Sequence, residues 1–229
     1  MMGKVVYRFK TPVYPGNILY VNLIGKYGCF NDCRFCGRPR SKKEFGKPNI
    51  YEKKAGAVLY LPRSPSAKRV LESINREIKD NDREIAIIGL GEPLMYLDKV
   101  ARIIRKIKAR HWIKVRVDTN GLARCVNKNA AKILADAGLD EIRISLNAIN
   151  AQEYIVLCRP KFRKAFENLV SFIRECNSLG IKTMVSFIIG FHAEGLPKRT
   201  KAEFRKFTAS LGIKPANIIF RDYVPPPRQ

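Results

Sequence analysis

Strand and helix patterns alternate along this chain of 229 residues, and the alternation predicts an α/β protein with a parallel sheet and helices outside it. Three observations carry the prediction. Short apolar runs recur at residues 18–24, 84–89, 112–117, 141–146, 183–190 and 217–220. Helical segments lie between them at 67–79, 99–110, 129–137, 162–179 and 201–210, as in the stripe Val100, Ile103, Ile104 and Ile107. Right-handed crossovers between parallel strands then curl the sheet into a barrel or partial barrel.

The punctuation supports each element. Ser64-Pro65-Ser66 opens the first long helix, and Gly138 and Gly180 close the third and fourth. Residues 112–117 form a strand with basic residues at alternate positions. The segment Ala57-Val58-Leu59-Tyr60-Leu61 packs on the core. Pro225, Pro226 and Pro227 cannot extend the last strand. A single domain over 1–229 is expected, with a basic loop at about 37–64 and a Pro-rich tail at about 224–229.

Composition narrows the class. Hydrophobic content of 46% and charged content of 28% are those of a globular protein. No apolar run reaches ~18 residues, so no membrane span is expected. The start Met1-Met2-Gly3-Lys4 lacks the apolar core of a signal peptide. Six cysteines at irregular spacing, three of them on one stretch, argue against a secreted disulfide framework. The expected compartment is the reducing cytoplasm. Net charge is the outlier at +24, with 44 basic residues against 20 acidic ones. Thermophile surfaces carry Glu in balance with Lys, whereas this surplus favours a polyanion, so nucleic acid is weighed as substrate or partner.

The chemistry centres on Cys29-Phe30-Asn31-Asp32-Cys33-Arg34-Phe35-Cys36, directly after the first long strand. Three thiols on one short loop can converge on one metal centre, and thiolates suit zinc or iron–sulfur groups. Structural zinc takes four ligands, commonly as two pairs, and no second pair stands in this sequence. Ferredoxin spacings supply four cysteines. A [4Fe–4S] cluster held by Cys29, Cys33 and Cys36 leaves one iron open.

This loop resembles the signature of the radical S-adenosylmethionine (SAM) superfamily, in which SAM chelates the open iron. Phe35, between the last two cysteines, is typical of it. The resemblance implies a partial (β/α)6 TIM-like barrel and a [4Fe–4S] cluster with SAM as cofactors. It also implies an electron donor of the flavodoxin or ferredoxin type, reductive cleavage of SAM, and a 5′-deoxyadenosyl radical that abstracts hydrogen from substrate. Val13 to Leu23 before the cluster, and Leu157-Cys158-Arg159-Pro160 after Ser145-Leu146-Asn147-Ala148, look like the small radical SAM proteins associated with the TatD family.

Function in parallel α/β sheets sits at the carboxyl ends of strands. Gly89-Leu90-Gly91-Glu92-Pro93, after the second strand, resembles the segment that holds the SAM amino group, with Leu90 as a departure. The glycines would admit a ligand close to the backbone. A plain strand–helix turn is the rival. After the third strand, Asp118-Thr119-Asn120-Gly121 reads as an Asn-Gly turn, and the resemblance adds a SAM contact at Asn120. Alternation points Arg143, Ser145 and Asn147 to one side of the fourth strand. The resemblance assigns Ser145 and Asn147 to SAM, whereas Arg143 reads equally as an ion pair. His192 is a substrate candidate or a solvated loop residue. Cys158 stands beside Arg159 and Lys161, whose charges would lower its pKa, which makes it a candidate for catalysis with packing as the alternative. Cys176 reads as core, and Cys125 has no visible partner.

RNA, in particular tRNA, is the polyanion favoured as substrate, with a small molecule or a partner protein as alternatives. A cluster-bearing nucleic-acid-binding protein without turnover is the remaining class. The expected RNA face combines the loop carrying Arg38, Arg40, Lys42, Lys43 and Lys47 with Arg102, Arg105, Lys106 and Arg110. Phe162, flanked by Lys161, Arg163 and Lys164, is the expected base-stacking aromatic.

Overall fold

A computed structural model describes residues 3–9, 16–38 and 50–225 of the chain. These fall into two compact units that interleave in sequence. The first comprises Met1–Cys29, Arg38–Asp118 and Asp136–Asp140; the second comprises Phe30–Gly37, Thr119–Ala135 and Glu141–Gln229.

The first unit holds β1 (Val6–Tyr7), β2 (Ile18–Val21), α1 (Ile50–Ala55), α2 (Ala67–Glu77), β3 (Glu84–Ile87), α3 (Leu97–Lys108) and the body of β4 (Lys114–Thr119). Strands β2, β3 and β4 run parallel, with Tyr20 beside Ala86 and Ala86 beside Arg116. On that face Tyr20 and Ala86 pack with Tyr7, Phe9 and Leu59. The alternate residues Leu19, Val21, Ile85, Ile87, Val115 and Val117 have no solvent exposure. This sheet is therefore buried on both faces, as parallel sheets are. Arg116 sits among the apolar residues because Glu84 accepts from its Nε at 2.6 Å and Asp118 takes its Nη1. Burial pushes the Glu84 carboxyl up, but Arg116, with Lys114, outweighs that and holds it below the usual carboxylate range.

The second unit holds α4 (Ala123–Val126), α5 (Ala130–Asp136), β5 (Glu141–Ser145), α6 (Ala151–Cys158), α7 (Ala165–Ser178), β6 (Lys182–Ile189), α8 (Lys201–Ala209) and β7 (Ile218–Asp222). Strands β5, β6 and β7 are parallel, with Ser145 beside Ser186 and Phe187 beside Phe220. Helix α8 lies over β6 and β7 through Phe204, whose ring stacks on Phe187 with centroids 4.2 Å apart.

Helix α8 starts where a capping box puts it. Thr200 Oγ1 accepts the Glu203 N–H at 3.2 Å, and Glu203 Oε2 accepts the Thr200 N–H at 2.8 Å. The Thr200 backbone bond, then Arg199 and the Thr200 hydroxyl, hold the Glu203 pKa down at about 2. A carboxyl whose pKa is depressed on folding stabilises fully above its unfolded value of 4.5, and that contribution is lost as pH falls toward 2. Across that window the melting temperature of the wild type therefore falls more steeply than that of Glu203→Gln, and parallel slopes in a thermal scan would contradict the assignment.

The α/β class with parallel strands is as the alternation predicts, and all six expected strands start within two residues of the positions the sequence predicts. The departures have tertiary causes. The two-residue strand β1 is an antiparallel edge on β2, too short to read by period. The span expected as a loop at about 37–64 contains α1. Buried Glu52 on that helix accepts from the Tyr27 hydroxyl at 3.0 Å and from the Leu59 N–H at 2.7 Å. Strand β4 begins at Lys114 rather than Trp112, which stands wholly in solvent. Helix α6 was not forecast at all, although Asn150 and Glu153 carry an N-cap signal: the Asn150 side chain accepts the Glu153 N–H at 2.9 Å. Pro226 and Pro227 of the expected tail lie outside the described residues.

Candidate active site

In the first unit, the turn after β3 packs against the segment that leads into Cys29. The Glu92 N–H donates to Gly28 O at 2.8 Å. Gly91 has φ +144°, and a Cβ there would lie 2.3 Å from Gly28 O. A Cβ at Gly89 would lie 2.6 Å from Ile24 Cδ1 and 2.9 Å from Asn22 Oδ1. The glycines thus let the strand-exit segment at Ile24 and Gly28 pack closely against this turn. Buried Glu92 turns its Oε1 to the Leu94 N–H at 2.8 Å and so caps the 3₁₀ turn Pro93–Tyr96.

In the second unit, residues 30–36 are clamped to the end of α6. The last turn of a helix leaves carbonyls without helical partners. Here Leu157 O accepts from the Arg34 N–H at 2.9 Å, and Cys158 O accepts from the Asp32 N–H at 3.0 Å. The Asn31 side chain donates to the buried Tyr154 hydroxyl at 2.9 Å, and Lys161 N–H donates to Phe30 O at 3.0 Å. A tight turn then joins Cys33 O to Cys36 N–H at 3.1 Å. All six cysteines are thiols, and Cys29, Cys33 and Cys36 are partly exposed. As they stand, no three His, Cys, Asp or Glu side chains among the described residues form a ready-made metal site.

The remaining candidates fall in the same unit. Thr119-Asn120-Gly121 is a tight turn in which Thr119 Oγ1 accepts the Gly121 N–H at 2.9 Å and Asn120 Oδ1 accepts the Leu122 N–H at 3.0 Å. Ser145 ends β5, half-buried and level with Ser186. Asn147 adopts φ +58°, donates its N–H to Ser186 O at 3.2 Å and accepts the Ile188 N–H on Oδ1 at 3.2 Å. A cavity of about 80 Å³ opens beside it, lined among others by Phe35, Asn147, Ile188, Gly190, His192 and Arg199. Phe35 meets Phe191 edge to face at 5.7 Å. The cavity wall is stiffened by Arg199, which donates to Glu153 Oε1 at 2.6 Å and to Glu203 Oε1 at 2.5 Å.

Other thiols and cations are accounted for by packing. Cys158 is fully buried in α6, and what it offers the cysteine loop is its backbone carbonyl. Burial pushes the Cys176 thiol well up, and does the same at Cys125 against the pull of Lys128 and Arg124. Arg143 donates to buried Glu141 at 2.7 Å, which realises the ion-pair alternative. Phe162 meets Phe30 edge to face at 5.1 Å. Arg40, Lys42, Lys43 and Lys47 lie outside the described residues. The clamp formed by α6 escaped the sequence reading, and the Asn150–Glu153 cap signal was the clue that could have found it.

The sequence profile of the radical SAM superfamily matches residues 23–200 of this chain. The chain belongs to the radical SAM superfamily. Members use a [4Fe–4S] cluster and SAM and need an electron donor, and this radical SAM chain is accordingly an enzyme. Among relatives, it is 29% identical over 126 residues to a probable GTP 3′,8-cyclase of Methanococcus maripaludis, covering 55% of this chain and 35% of that protein. It is 42% identical over 77 residues to the GTP 3′,8-cyclase of Lactiplantibacillus plantarum, covering 33% of this chain and 22% of that one. The matches thus span about a third or less of those relatives' length. Solved structures share the fold. SuiB of Streptococcus suis bound to its precursor peptide SuiA superposes with a TM-score of 0.60 at 19% identity, over 90% of this chain and 38% of that one. AnSMEcpe with bound SAM gives 0.58 at 14% identity, over 91% and 51%. That likeness agrees with the partial (β/α)6 barrel expected of a radical SAM chain. Among the described residues, no helix is long and apolar enough to cross a membrane.

Proposed function

We propose that Cys29, Cys33 and Cys36 hold the [4Fe–4S] cluster, and that Phe35, Gly89, Gly91, Glu92, Pro93, Asn120, Ser145 and Asn147 bind SAM beside it. The observation that carries the reading is that Phe35 of the cysteine loop and Asn147 after β5 line one cavity. The donor set suits the cluster: three partly exposed thiols, two of them on one tight turn, in a softness class that iron–sulfur centres take. When bound, the reduced cluster supplies the electron that cleaves SAM to methionine and a 5′-deoxyadenosyl radical for hydrogen abstraction. The chain's own residues orient these groups. Helix α6 pins the loop by its terminal carbonyls, and the edge of Phe191 fixes Phe35. Asn147 ties the end of β5 to β6. A flavodoxin- or ferredoxin-like donor in a reducing cytoplasm would deliver the electron.

The segment at 13–23 and Leu157-Cys158-Arg159-Pro160 support the TatD-associated branch. The net charge of +24 supports RNA as the substrate class. The names of the two cyclase relatives favour a second reading, a nucleoside triphosphate, which is also anionic.

The test is SAM binding by calorimetry after anaerobic reconstitution. Asn147→Gly keeps the positive φ but loses the side chain, and it is expected to weaken SAM roughly five- to a hundredfold. Unchanged affinity in Asn147→Gly and in Phe35→Ala would overturn the SAM assignment. Faster 5′-deoxyadenosine formation with tRNA supports the RNA reading. Acceleration by GTP and not by tRNA supports the second.

A further inference from the structure

Trp112 is the chain's only tryptophan, and its relative exposure is 108%. An indole normally covers much of its large apolar surface. A loose loop does not account for this one, because the turn that carries it is tied down on both sides. Ala109 N–H donates to Arg105 O at 3.0 Å and His111 N–H donates to Ile107 O at 2.9 Å. The His111 ring reaches Asn75 Oδ1 at 3.3 Å, and Ile113 on the other side is buried. The ring is thus held out in water by anchored neighbours.

A row of charge leads up to it. The apolar face of α3 is fully committed to the core, since Val100, Ile103, Ile104 and Ile107 are at most 1% exposed. The opposite face presents Arg102, Arg105 and Lys106 at helical spacing, and Arg110 follows in the turn, all exposed. Among the described residues none of these four has an acidic partner. The nearby Lys108 does, with Asp140 at 2.9 Å. The only acid on α3, Asp98, lies in its first turn, at the far end from Trp112. A solubilising face would intersperse both signs. A membrane-surface helix would need an apolar face to insert, and α3 has none left over.

We propose that this face of α3, ending in Trp112, docks an unpaired segment of RNA, with phosphates along the four cations and a base stacked on the indole. Folded RNA offers both features together, since its loops splay bases that aromatic rings receive. The inference rests on the RNA reading above and adds the place of contact. Trp112 precedes Lys114, which pairs with Glu84 at the start of β3, whereas residues 89–93 follow the end of β3. Within this unit Trp112 lies at the opposite end of the parallel strands from the glycine turn, roughly 13 Å or more away. It therefore acts as an anchor and takes no part in the chemistry.

Because Trp112 is the sole tryptophan, fluorescence excited selectively at the indole reports this position alone. Titrating the reconstituted full chain with an RNA hairpin bearing an unpaired loop should give saturable quenching, and inorganic polyphosphate should give none. In anisotropy with the same labelled hairpin, Trp112→Ala should weaken binding roughly five- to a hundredfold and leave the salt slope unchanged. Trp112→Phe should recover most of the loss. Arg105→Glu with Lys106→Glu should lower the salt slope by about two. SAM cleavage without RNA should be the same in all these variants. Tight RNA binding with neither quenching nor a Trp112→Ala effect would overturn the docking face while the RNA reading stands. Absence of wild-type RNA binding at low salt would remove both. Quenching by anionic vesicles or an acidic peptide, and not by RNA, would also overturn the proposal.

Discussion

Each of Cys29→Ala, Cys33→Ala and Cys36→Ala should lower iron from about four atoms per chain to below about one and take 5′-deoxyadenosine formation to background. A cluster with one iron left open for SAM has only three protein ligands, so no spare thiolate can replace a lost one. The other cysteines cannot move in. Cys158 and Cys176 are fully buried, and burial pushes the Cys125 thiol up, against the pull of Lys128 and Arg124. The variants should still fold, because the loop is held by the Asp32 and Arg34 N–H groups and by the Asn31 side chain. Iron analysis and circular dichroism after anaerobic reconstitution check both halves. Near-wild-type iron and SAM cleavage in any of the three would refute the ligand assignment. Loss of the folded signal would instead show that the thiols also pack.

Gly91→Ala should destabilise the protein by about 3–5 kcal/mol and weaken SAM binding with it. Two costs add. The backbone sits at φ +144°, which side chains rarely adopt, and the new Cβ would stand 2.3 Å from Gly28 O. Backbone cannot swing aside as a side-chain tip can, so the Glu92 N–H bond to Gly28 O must lengthen or break. Gly28 directly precedes Cys29, and the strain therefore reaches the cluster loop. Gly190→Ala is the matched control, with φ +84° and nothing within 4 Å of the added carbon. It should cost only about 1 kcal/mol. Urea denaturation of the iron-free forms compares the two, and equal midpoints would show that the close approach at Gly91 is not what demands glycine.

Much of the site was legible because its chemistry is local. Thiolates at x3 and x2 spacing after an apolar run specify a loop with three soft donors whatever surrounds it. The strands at 84–87 and 141–145 were equally plain, since short β-branched runs between turn residues allow little else. The positions of Asn147 and Asn120 at strand ends also followed from period and turn chemistry.

Other features were hidden because they depend on partners far away in sequence. No local pattern says that the carbonyls of Leu157 and Cys158 will receive the N–H groups of Arg34 and Asp32, more than a hundred residues earlier. The same distance hid the reason for the glycines. Sequence supplied a close approach at Gly89 and Gly91 but not the strand-exit segment at Ile24 and Gly28 that also depends on it. Helix α1 was missed because Glu52 earns its burial from Tyr27 and Leu59 rather than from neighbours in the helix. Trp112 was read into a strand by its alternation with basic residues, and only the anchoring of His111 and Ile113 turned it outward. The sequence by itself determined the alternating α/β order, the three thiols and the charge surplus, because each depends on residue identity and short spacing. Only the tertiary structure decided which carbonyls clamp the loop, which backbone the glycines admit and which aromatic faces water, because backbone groups must find partners wherever the fold brings them.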